Sequence, residues 1–410
     1  MTYRREYMDV EYLSKPIQIG NKTAANRFVV LPNESNDGLD SGAPSERSVG
    51  RYKKYVEGQA GIVFSESVLA DIGGRARIHQ LYLGDETVDE YARMIEEIRR
   101  ANPEVIFIIQ VDHCGSLADP VFSDPIAIYP RESDPARLLT DDEIQQFRDK
   151  FIHAALLAHK AGADGVDIKH AHGFLGNEFL QPANIREGRY GGSFENRTRF
   201  FREIIEGVKQ QVDDGDFLLN VRISAYEGVP GGFGTSGPGE ITEDLSEPVA
   251  FARLAQEAGL HLISTSAGNA AGNLEILLPT DDSADAVFRH FGWTRTIKQA
   301  IDIPVIGAGY SYLRDGRNKL PGEDSAEKSF VYWSEKNLKE NHVDLVGIAR
   351  QAIADPLLPK KILNGDLKSV NWCTMCMDCG MLLGEQQEVG CSVYDRYYRE
   401  LAKKIKEIKP

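Results

Sequence analysis

The sequence has few cysteines, no long apolar run and no cluster of positive charge. Five cysteines among 410 residues are too few to build a disulfide scaffold. No segment approaches the roughly 18–20 continuous apolar residues that a membrane helix requires, and no apolar stretch follows the charged first residues, so they do not form a secretory signal. The formal net charge is −15 without a basic block, which argues against nucleic acid or a membrane as a partner. We expect a cytoplasmic protein.

A dinucleotide-binding glycine motif is also absent. An open, doubly wound sheet would have a GxGxxG turn after its first strand, whereas the residues after Pro32 read NESNDG. The chain has instead eight short, almost continuously apolar segments, which are typical of parallel strands covered on both faces. They are residues 27–32, 61–66, 105–110, 165–169, 217–224, 260–264, 304–307 and 344–348.

Amphipathic segments lie between these predicted strands. Thr140 and Glu143 have the spacing of a capping box, which predicts the start of a helix that ends near Gly162. Residues 195–212 and 248–258 repeat this pattern. Eight strand–helix alternations without a break in composition predict one α/β domain. We expect a (β/α)8 TIM barrel over residues 1–365 and a cysteine-rich extension over residues 366–410.

Such barrels hold their ligands at the carboxyl ends of the strands. Gly309, Gly347 and Arg350 follow the last two predicted strands and suit a phosphate, because glycines let backbone N–H groups approach its oxygens and an arginine adds a charge-assisted bond. Alternatively, the glycines only allow tight turns. The other polar or special residues at strand ends are Pro32, Asn33, Glu34, Gln110, His113, Lys169, His172, Arg222 and Ser266.

Several short motifs are distributed along the predicted barrel. The longest is HGFLGNEFLQPAN over residues 172–184, and the others include GNKTAANR (20–27), YGGSFENR (190–197) and VGIARQAIADP (346–356). In sequence and order they resemble the Old Yellow Enzyme family of FMN-dependent oxidoreductases, from about residue 10 to residue 395.

The resemblance implies a set of FMN contacts. Gln110 and Arg222 would bind the flavin pyrimidine, and the guanidinium would stabilise the negative charge that appears on reduction. The alternative for Arg222 is a structural ion pair across the barrel mouth. Pro32 and Asn33 would contact the flavin edge near N5, and Ser266 would lie beside the ribityl chain. The phosphate would be bound by Gly309, Gly347 and Arg350.

The substrate site departs from the family's pattern. The family's anchor is a His-x-x-His or His-x-x-Asn pair, and the matching residues are Lys169 and His172. They still supply two donors to an oxyanion and suit an anionic substituent. The family's tyrosine proton donor is replaced by Phe174, which cannot donate a proton. Tyr226 or solvent would then supply it, or the enzyme works oxidatively and needs no donor.

Two acidic or basic side chains near this site have alternative interpretations. Glu34 stands where relatives often have Thr or Cys beside the flavin. It is either a general base or an ion-pair partner of Lys169. His170 is out of phase with its neighbours, because alternate strand residues point to opposite faces, and we expect it to pack behind the barrel.

Four of the five cysteines lie close together near the carboxyl terminus. Cys373, Cys376, Cys379 and Cys391 have the spacing C-x2-C-x2-C-x11-C. Four thiolates satisfy either tetrahedral zinc or a [4Fe-4S] cluster, and spacing alone does not decide. The resemblance favours [4Fe-4S], because the dienoyl-CoA reductase and trimethylamine dehydrogenase branch has nearly this spacing after its barrel. Cys114 is expected to be a buried thiol.

Together these features predict an oxidoreductase. It would transfer a hydride between flavin N5 and a small electron-poor substrate, carbonyl-activated or anionic, with electrons from NAD(P)H or through the cluster. Because the chain stops at Pro410, without the dinucleotide-binding half of that branch, a separate electron-transfer protein is an expected partner. The alternative is a non-redox phosphate-binding lyase in which Lys169 forms a Schiff base. Substrate identity, reaction direction and a homo-oligomeric state do not follow from the sequence.

Overall fold

The chain first forms a short antiparallel hairpin, β1 (Ile17–Ile19) and β2 (Lys22–Ala24), which closes one end of a barrel. Ile19 and Ala24 are fully buried and join the apolar side chains inside the barrel. The hairpin lies against Gly61 and Leu218, where two barrel strands begin. The opposite end, where the strands finish, is left for ligands.

Eight parallel strands form this barrel in the computed structural model, which describes residues 10–131 and 135–408. Each strand pairs with the next along the chain, and the last pairs with the first. All eight overlap the predicted apolar segments, so the predicted (β/α)8 barrel is confirmed. The strands are β3 (Phe28–Val30), β4 (Ile62–Leu69), β5 (Ile106–Asp112), β8 (Gly165–His170), β9 (Leu218–Ser224), β10 (Leu262–Ser266), β11 (Val305–Gly307) and β12 (Leu345–Ile348); β6 (Ile126–Ala127) and β7 (Arg137–Leu138) pair outside the barrel.

Amphipathic helices surround the barrel. Their apolar sides pack on the outer faces of the strands and form the largest core cluster. The helices are α1 (Glu46–Glu57), α2 (Val88–Ala101), α3 (Asp141–Lys160), α4 (Leu175–Leu180), α5 (Phe194–Arg197), α6 (Arg199–Gln211), α7 (Ser246–Glu257), α8 (Leu274–Leu277), α9 (Ala286–Lys298), α10 (Phe330–Lys339), α11 (Arg350–Ala354), α12 (Leu358–Leu363), α13 (Asp378–Gly384) and α14 (Arg396–Ile408). No helix among the described residues is long and apolar enough to cross a membrane.

The predicted capping box begins α3. The Thr140 hydroxyl accepts the Glu143 N–H at 3.3 Å, and the Glu143 carboxylate accepts the Thr140 N–H at 2.8 Å. The helix predicted over residues 195–212 is instead divided into α5 and α6 at Thr198. There the Arg197 side chain turns inward to the Leu180 carbonyl and Glu247. The break between α5 and α6 therefore coincides with a buried arginine that bonds to other segments of the chain.

The cysteine-rich extension folds back onto the carboxyl end of the barrel. Leu382 of α13 and Ala402 of α14 are buried against Ile353 of the barrel. The Val389 N–H donates to the Ser35 carbonyl at 2.9 Å, and the Cys373 N–H donates to Gln351 Oε1 at 2.9 Å. The extension therefore contributes to the mouth of the barrel. The domain boundary at residue 365 stays a prediction.

Candidate active site

A cavity of about 460 Å³ opens at the carboxyl ends of the barrel strands. The cysteine-rich extension supplies part of its wall, including Met377 and Cys379. The cavity brings together nearly all of the predicted FMN and substrate residues. They are Pro32, Asn33, Glu34, Gln110, Lys169, His172, Arg222, Ser266, Gly309, Gly347 and Arg350.

Gln110 and Arg222 flank a buried carboxylate that the sequence did not reveal. Gln110 Nε2 donates to Asp167 Oδ2 at 2.5 Å, and Asn220 Nδ2 donates to Asp167 Oδ1 at 2.8 Å. One N–H of the Gln110 amide is thus occupied by Asp167, and the carbonyl oxygen of the amide can accept a hydrogen bond from a ligand. Arg222 Nη1 donates to Ser264 Oγ at 2.6 Å. Burial raises the pKa of Asp167 to about 6 and lowers the pKa of Arg222, while their opposite charges counteract both shifts.

The ion-pair partner of Lys169 is Asp112, so the expected pairing with Glu34 is wrong. Lys169 Nζ lies 2.6 Å from Asp112 Oδ2, and Ser67 Oγ donates to the same oxygen at 2.6 Å. The ammonium also stands 3.2 Å from the centroid of the Phe174 ring. Burial raises the pKa of the fully buried Asp112, and the charge of Lys169 opposes that shift. The signal for Asp112 was its position two residues after Gln110, on the same face of β5.

Glu34 lines the cavity but faces a different cation. Its Oε2 lies 3.8 Å from Arg77 Nε, and Arg77 also lines the cavity. Arg77 was not singled out in the sequence, because it lies in a loop between β4 and α2 rather than at a strand end. Glu34 therefore remains a candidate base, with Arg77 as its nearest countercharge.

His172 is held as a neutral imidazole in a strained turn. Its Nε2 lies 2.7 Å from Ser266 Oγ, and its backbone N–H donates to Ser224 Oγ at 2.9 Å. The backbone φ of +68° is a left-handed conformation, which costs a non-glycine residue on the order of 1 kcal/mol. Burial lowers the pKa of His172 well below its usual value, and the charges of Arg222 and Lys169 act in the same direction.

At each of the two glycines of the expected phosphate site, the structure gives a different reason why the residue is a glycine. Gly309 has a φ of +92°, the left-handed region that favours glycine. A Cβ at Gly347 would lie 2.6 Å from the Gly307 carbonyl, so close strand packing alone requires glycine there. Arg350 begins α11, and its Nη2 donates to the Pro279 carbonyl at 2.8 Å while Nη1 lies 3.1 Å from Met377 Sδ. Their roles at a phosphate stay predictions.

Tyr226 does not reach the cavity, so the structure does not support it as a proton donor. Its hydroxyl donates to the Ile241 carbonyl at 2.6 Å, and its ring packs 5.6 Å from Trp293 of α9. Tyr226 comes two residues after the end of β9 and is not among the residues that line the cavity. His170 lies behind the barrel as predicted, with its ring 5.2 Å from the ring of Phe201.

The four clustered cysteines line a second, small cavity of about 20 Å³ next to Arg350. They are not joined in disulfides. Backbone N–H groups donate to the sulfurs of Cys373, Cys379 and Cys391, which favours the thiolate forms, whereas burial raises the pKa of Cys379 to about 11. Within residues 10–131 and 135–408, no three Cys, His, Asp or Glu side chains are close enough to hold a single metal ion. Cys114 is a buried thiol, as predicted.

The chain matches known flavin enzymes along most of its length. The sequence model of the NADH:flavin oxidoreductase / NADH oxidase family matches residues 12–368. NADH oxidase of Thermoanaerobacter brockii is 30% identical over 373 residues, which are 88% of this chain and 52% of that protein. NADPH dehydrogenase of Bacillus subtilis is 27% identical over 354 residues, 85% of this chain and 93% of that protein. Dimethylamine dehydrogenase of Hyphomicrobium sp. (strain x) is 27% identical over 385 residues, 90% of this chain and 48% of that protein.

Solved structures share the fold. A complex of 2-naphthoyl-CoA reductase with 2-naphthoyl-CoA superposes with a TM-score of 0.79 at 23% identity, over 96% of this chain and 58% of that one. An old yellow enzyme homologue from Zymomonas mobilis has a TM-score of 0.65 at 21% identity, over 86% of this chain and 92% of that one. The chain spans about half the length of the NADH oxidase and dimethylamine dehydrogenase relatives. By its sequence match and its barrel, the chain belongs to the NADH:flavin oxidoreductase / NADH oxidase family.

Proposed function

We propose that this chain moves a hydride between flavin N5 and a small electron-poor substrate that carries a carbonyl or an anionic group. The observation that carries the proposal is the position of Lys169 and His172, two polar side chains that face the same cavity as Gln110 and Arg222. Bound FMN supplies the hydride chemistry, and the protein supplies binding, orientation and charge.

The cavity residues fit the flavin. The Gln110 carbonyl oxygen is free to accept the pyrimidine N–H, because Asp167 holds the amide nitrogen. The buried Arg222 guanidinium stabilises negative charge at the reduced pyrimidine, and burial strengthens that interaction. Ser266 suits the ribityl chain, and Gly309 with Arg350 suits the phosphate. An unpaired buried guanidinium is costly, so a bound anion offsets the desolvation of Arg350.

The substrate side of the cavity combines charge with an apolar wall. Lys169 and His172 can donate to one oxygen of a carbonyl or carboxylate, which withdraws electrons from the carbon that accepts the hydride. Phe174 and Leu274 give this region an apolar wall. Glu34, near Arg77, is positioned to accept a proton in the oxidative direction. NADH oxidase and NADPH dehydrogenase among the relatives support a nicotinamide as the electron source.

A [4Fe-4S] cluster at the four cysteines is the second part of the proposal. The four cysteines line one small cavity, and Arg350 lies beside them. Four thiolates with backbone N–H donors and a nearby cation suit an anionic iron–sulfur cluster, and zinc is the alternative that metal analysis distinguishes. Cys376 is the exposed ligand, where a separate electron-transfer protein would approach. A cytoplasmic location remains part of this proposal.

The Schiff-base lyase has less support than the oxidoreductase. A lysine must be a neutral amine to attack a carbonyl, whereas Asp112 holds Lys169 as a cation at 2.6 Å. The chain also belongs to a flavin family along most of its length. We therefore interpret Lys169 as a charged donor.

The proposal is tested on anaerobically purified protein. We expect a flavin spectrum, about one FMN and four iron atoms per chain, and bleaching of the flavin by NADH or NADPH in a stopped-flow instrument. Loss of iron with retained FMN in the Cys376→Ser variant assigns the metal to the cysteines. Colourless protein that traps a carbonyl compound on borohydride treatment contradicts the flavin proposal, and stoichiometric zinc without iron contradicts the cluster.

A further inference from the structure

The reduction of a C=C bond needs a proton as well as a hydride, and few groups in the cavity can supply one. Arginines remain protonated in proteins and cannot release a proton. Burial lowers the pKa of His172 well below its usual value and that of His290 to about 4, so both imidazoles are neutral at physiological pH. The titratable groups that line the cavity are Glu34, Arg77, Lys169, His172, Arg222, His290, Arg350 and Cys379.

Three candidate proton donors remain, and they differ in their contacts and in their place in the cavity: Glu34, Cys379 and Lys169. Glu34 faces Arg77, with its Oε2 3.8 Å from Arg77 Nε, so it serves as the countercharge of that guanidinium. Cys379 lies among the clustered cysteines beside Arg350, at the wall formed by the extension. Lys169 is the one lining group described here that carries a releasable proton and stands between Phe174 and His172.

We propose that Lys169 delivers the proton that completes the reduction of an activated C=C bond, and that Asp112 positions its ammonium for this step. The proposal rests on the proposed hydride transfer. In this reduction His172 holds the activating oxygen and the open side of the Lys169 ammonium supplies the proton. The proposal also gives a function to Asp112, which does not line the cavity.

The contacts of the ammonium leave one side open. An ammonium has three N–H bonds. One points to Asp112 Oδ2 at 2.6 Å, and the Phe174 ring covers another side at 3.2 Å from its centroid. The remaining side faces the cavity, which Lys169 lines although only 3% of the residue is exposed. Asp112 is fully buried behind Lys169 and acts on a substrate only through it, so it is a positioning residue.

The step balances with the reduced flavin as reductant. The substrate C=C bond accepts a hydride, two electrons and one hydrogen, at the carbon β to the activating group. The α carbon then takes one proton from Lys169 Nζ, whose N–H bond breaks as the C–H bond forms. Lys169 is left as a neutral amine beside the Asp112 carboxylate, and a proton from solvent restores the ammonium.

Lys169→Arg separates proton delivery from charge, because a guanidinium keeps the positive charge but does not release a proton. Enzyme reduced anaerobically with dithionite is mixed with 1-nitrocyclohexene or with 2-cyclohexenone. A nitroalkene is informative because hydride addition gives a nitronate anion, which persists until its carbon is protonated. Flavin reoxidation therefore reports hydride transfer, and disappearance of the nitronate reports proton transfer.

We expect the Arg variant to protonate the nitronate at least about 100-fold more slowly than wild type, the usual scale of general acid catalysis, and to lose much more of this phase than of flavin reoxidation with the nitroalkene. Tyr226→Phe is the matched control and should resemble wild type in both phases. Protonation by the Arg variant at the wild-type rate, or its loss in Glu34→Gln instead, overturns the assignment to Lys169. Wild-type enzyme that reduces neither probe contradicts the proposed reductive function itself.

Asp112→Asn tests the positioning role with a readout that a merely structural role would not move. Without the carboxylate the Lys169 ammonium loses the partner that holds it at 2.6 Å, so nitronate protonation should slow while hydride transfer, followed by flavin reoxidation, changes much less. Equal slowing of both phases, or no change in either, in a variant that still binds FMN overturns the role of Asp112. The other charged or titratable groups near Lys169 are unchanged in this variant: Asp167, Arg222, His172 and Cys114.

Discussion

The buried carboxylate of Asp167 makes the stability of the barrel depend on pH in a way that one substitution isolates. Asp167 is fully buried beneath Gln110 and Asn220, and its pKa is raised from 3.8 to about 6, chiefly by burial. The folded chain therefore binds a proton more tightly than the unfolded chain does. This contribution to stability is fully present below pH 3.8 and is lost as the pH rises through about 6.

The magnitude follows from the shift. A raised pKa of about 2 units corresponds to about 3 kcal/mol, of which about 2 kcal/mol is lost between about pH 4.5 and about pH 8. Asp167→Asn cannot ionise and lacks this dependence. We therefore expect the free energy of unfolding of wild type, relative to the Asn variant, to fall by about 2 kcal/mol over that interval.

The assay is urea unfolding of FMN-free protein at several pH values, followed by circular dichroism. Asp302→Asn, at an exposed position, is the matched control and should track wild type throughout. A difference between wild type and Asp167→Asn that stays constant with pH would refute the reasoning, because it would mean that Asp167 ionises equally easily in the folded and unfolded chain.

Three further substitutions test separate parts of the site. Arg222→Met should weaken FMN binding roughly 10- to 100-fold, measured by flavin fluorescence, because a charge-assisted hydrogen bond contributes about 1.5–3 kcal/mol; unchanged affinity would leave Arg222 a structural role only. Gly347→Ala places a Cβ 2.6 Å from the Gly307 carbonyl and should lower the free energy of unfolding by about 1–3 kcal/mol in urea. Tyr226→Phe should change turnover with NADH and 2-cyclohexenone by less than about 2-fold while costing about 1 kcal/mol of stability, and a large loss of turnover would restore it as a catalytic candidate.

The barrel could be predicted from the sequence because parallel strands buried on both faces have a local signature. Every predicted apolar segment overlaps a barrel strand. The second strand extends past its predicted end at Glu66 to Leu69, through a register shift between Phe64 and Ser67. That irregularity carries no apolar signature, because Ser65, Glu66 and Ser67 are polar yet buried.

The residues of the site were easier to predict than the hydrogen bonds and ion pairs between them. Strand ends identified Lys169 and Gln110, but their partners Asp112 and Asp167 lie on neighbouring strands 57 residues away in each case. Which strand neighbours which, and in what register, is a tertiary property that no local pattern encodes. Tyr226 was predicted to lie in the cavity because it is close to a strand end. Its hydroxyl instead donates to the Ile241 carbonyl, and the residue does not line the cavity.

The wall contributed by the extension has a consequence for the biosynthesis of the enzyme. Met377, Cys379, Leu383 and Val389 line the main cavity although they follow the whole barrel in sequence. A nascent chain can therefore close its barrel through the pairing of β12 with β3 while its cavity still lacks one side. A translation product truncated before the cysteines would keep all eight strands and the barrel's own cavity residues, but its cavity would lack the wall that the extension supplies.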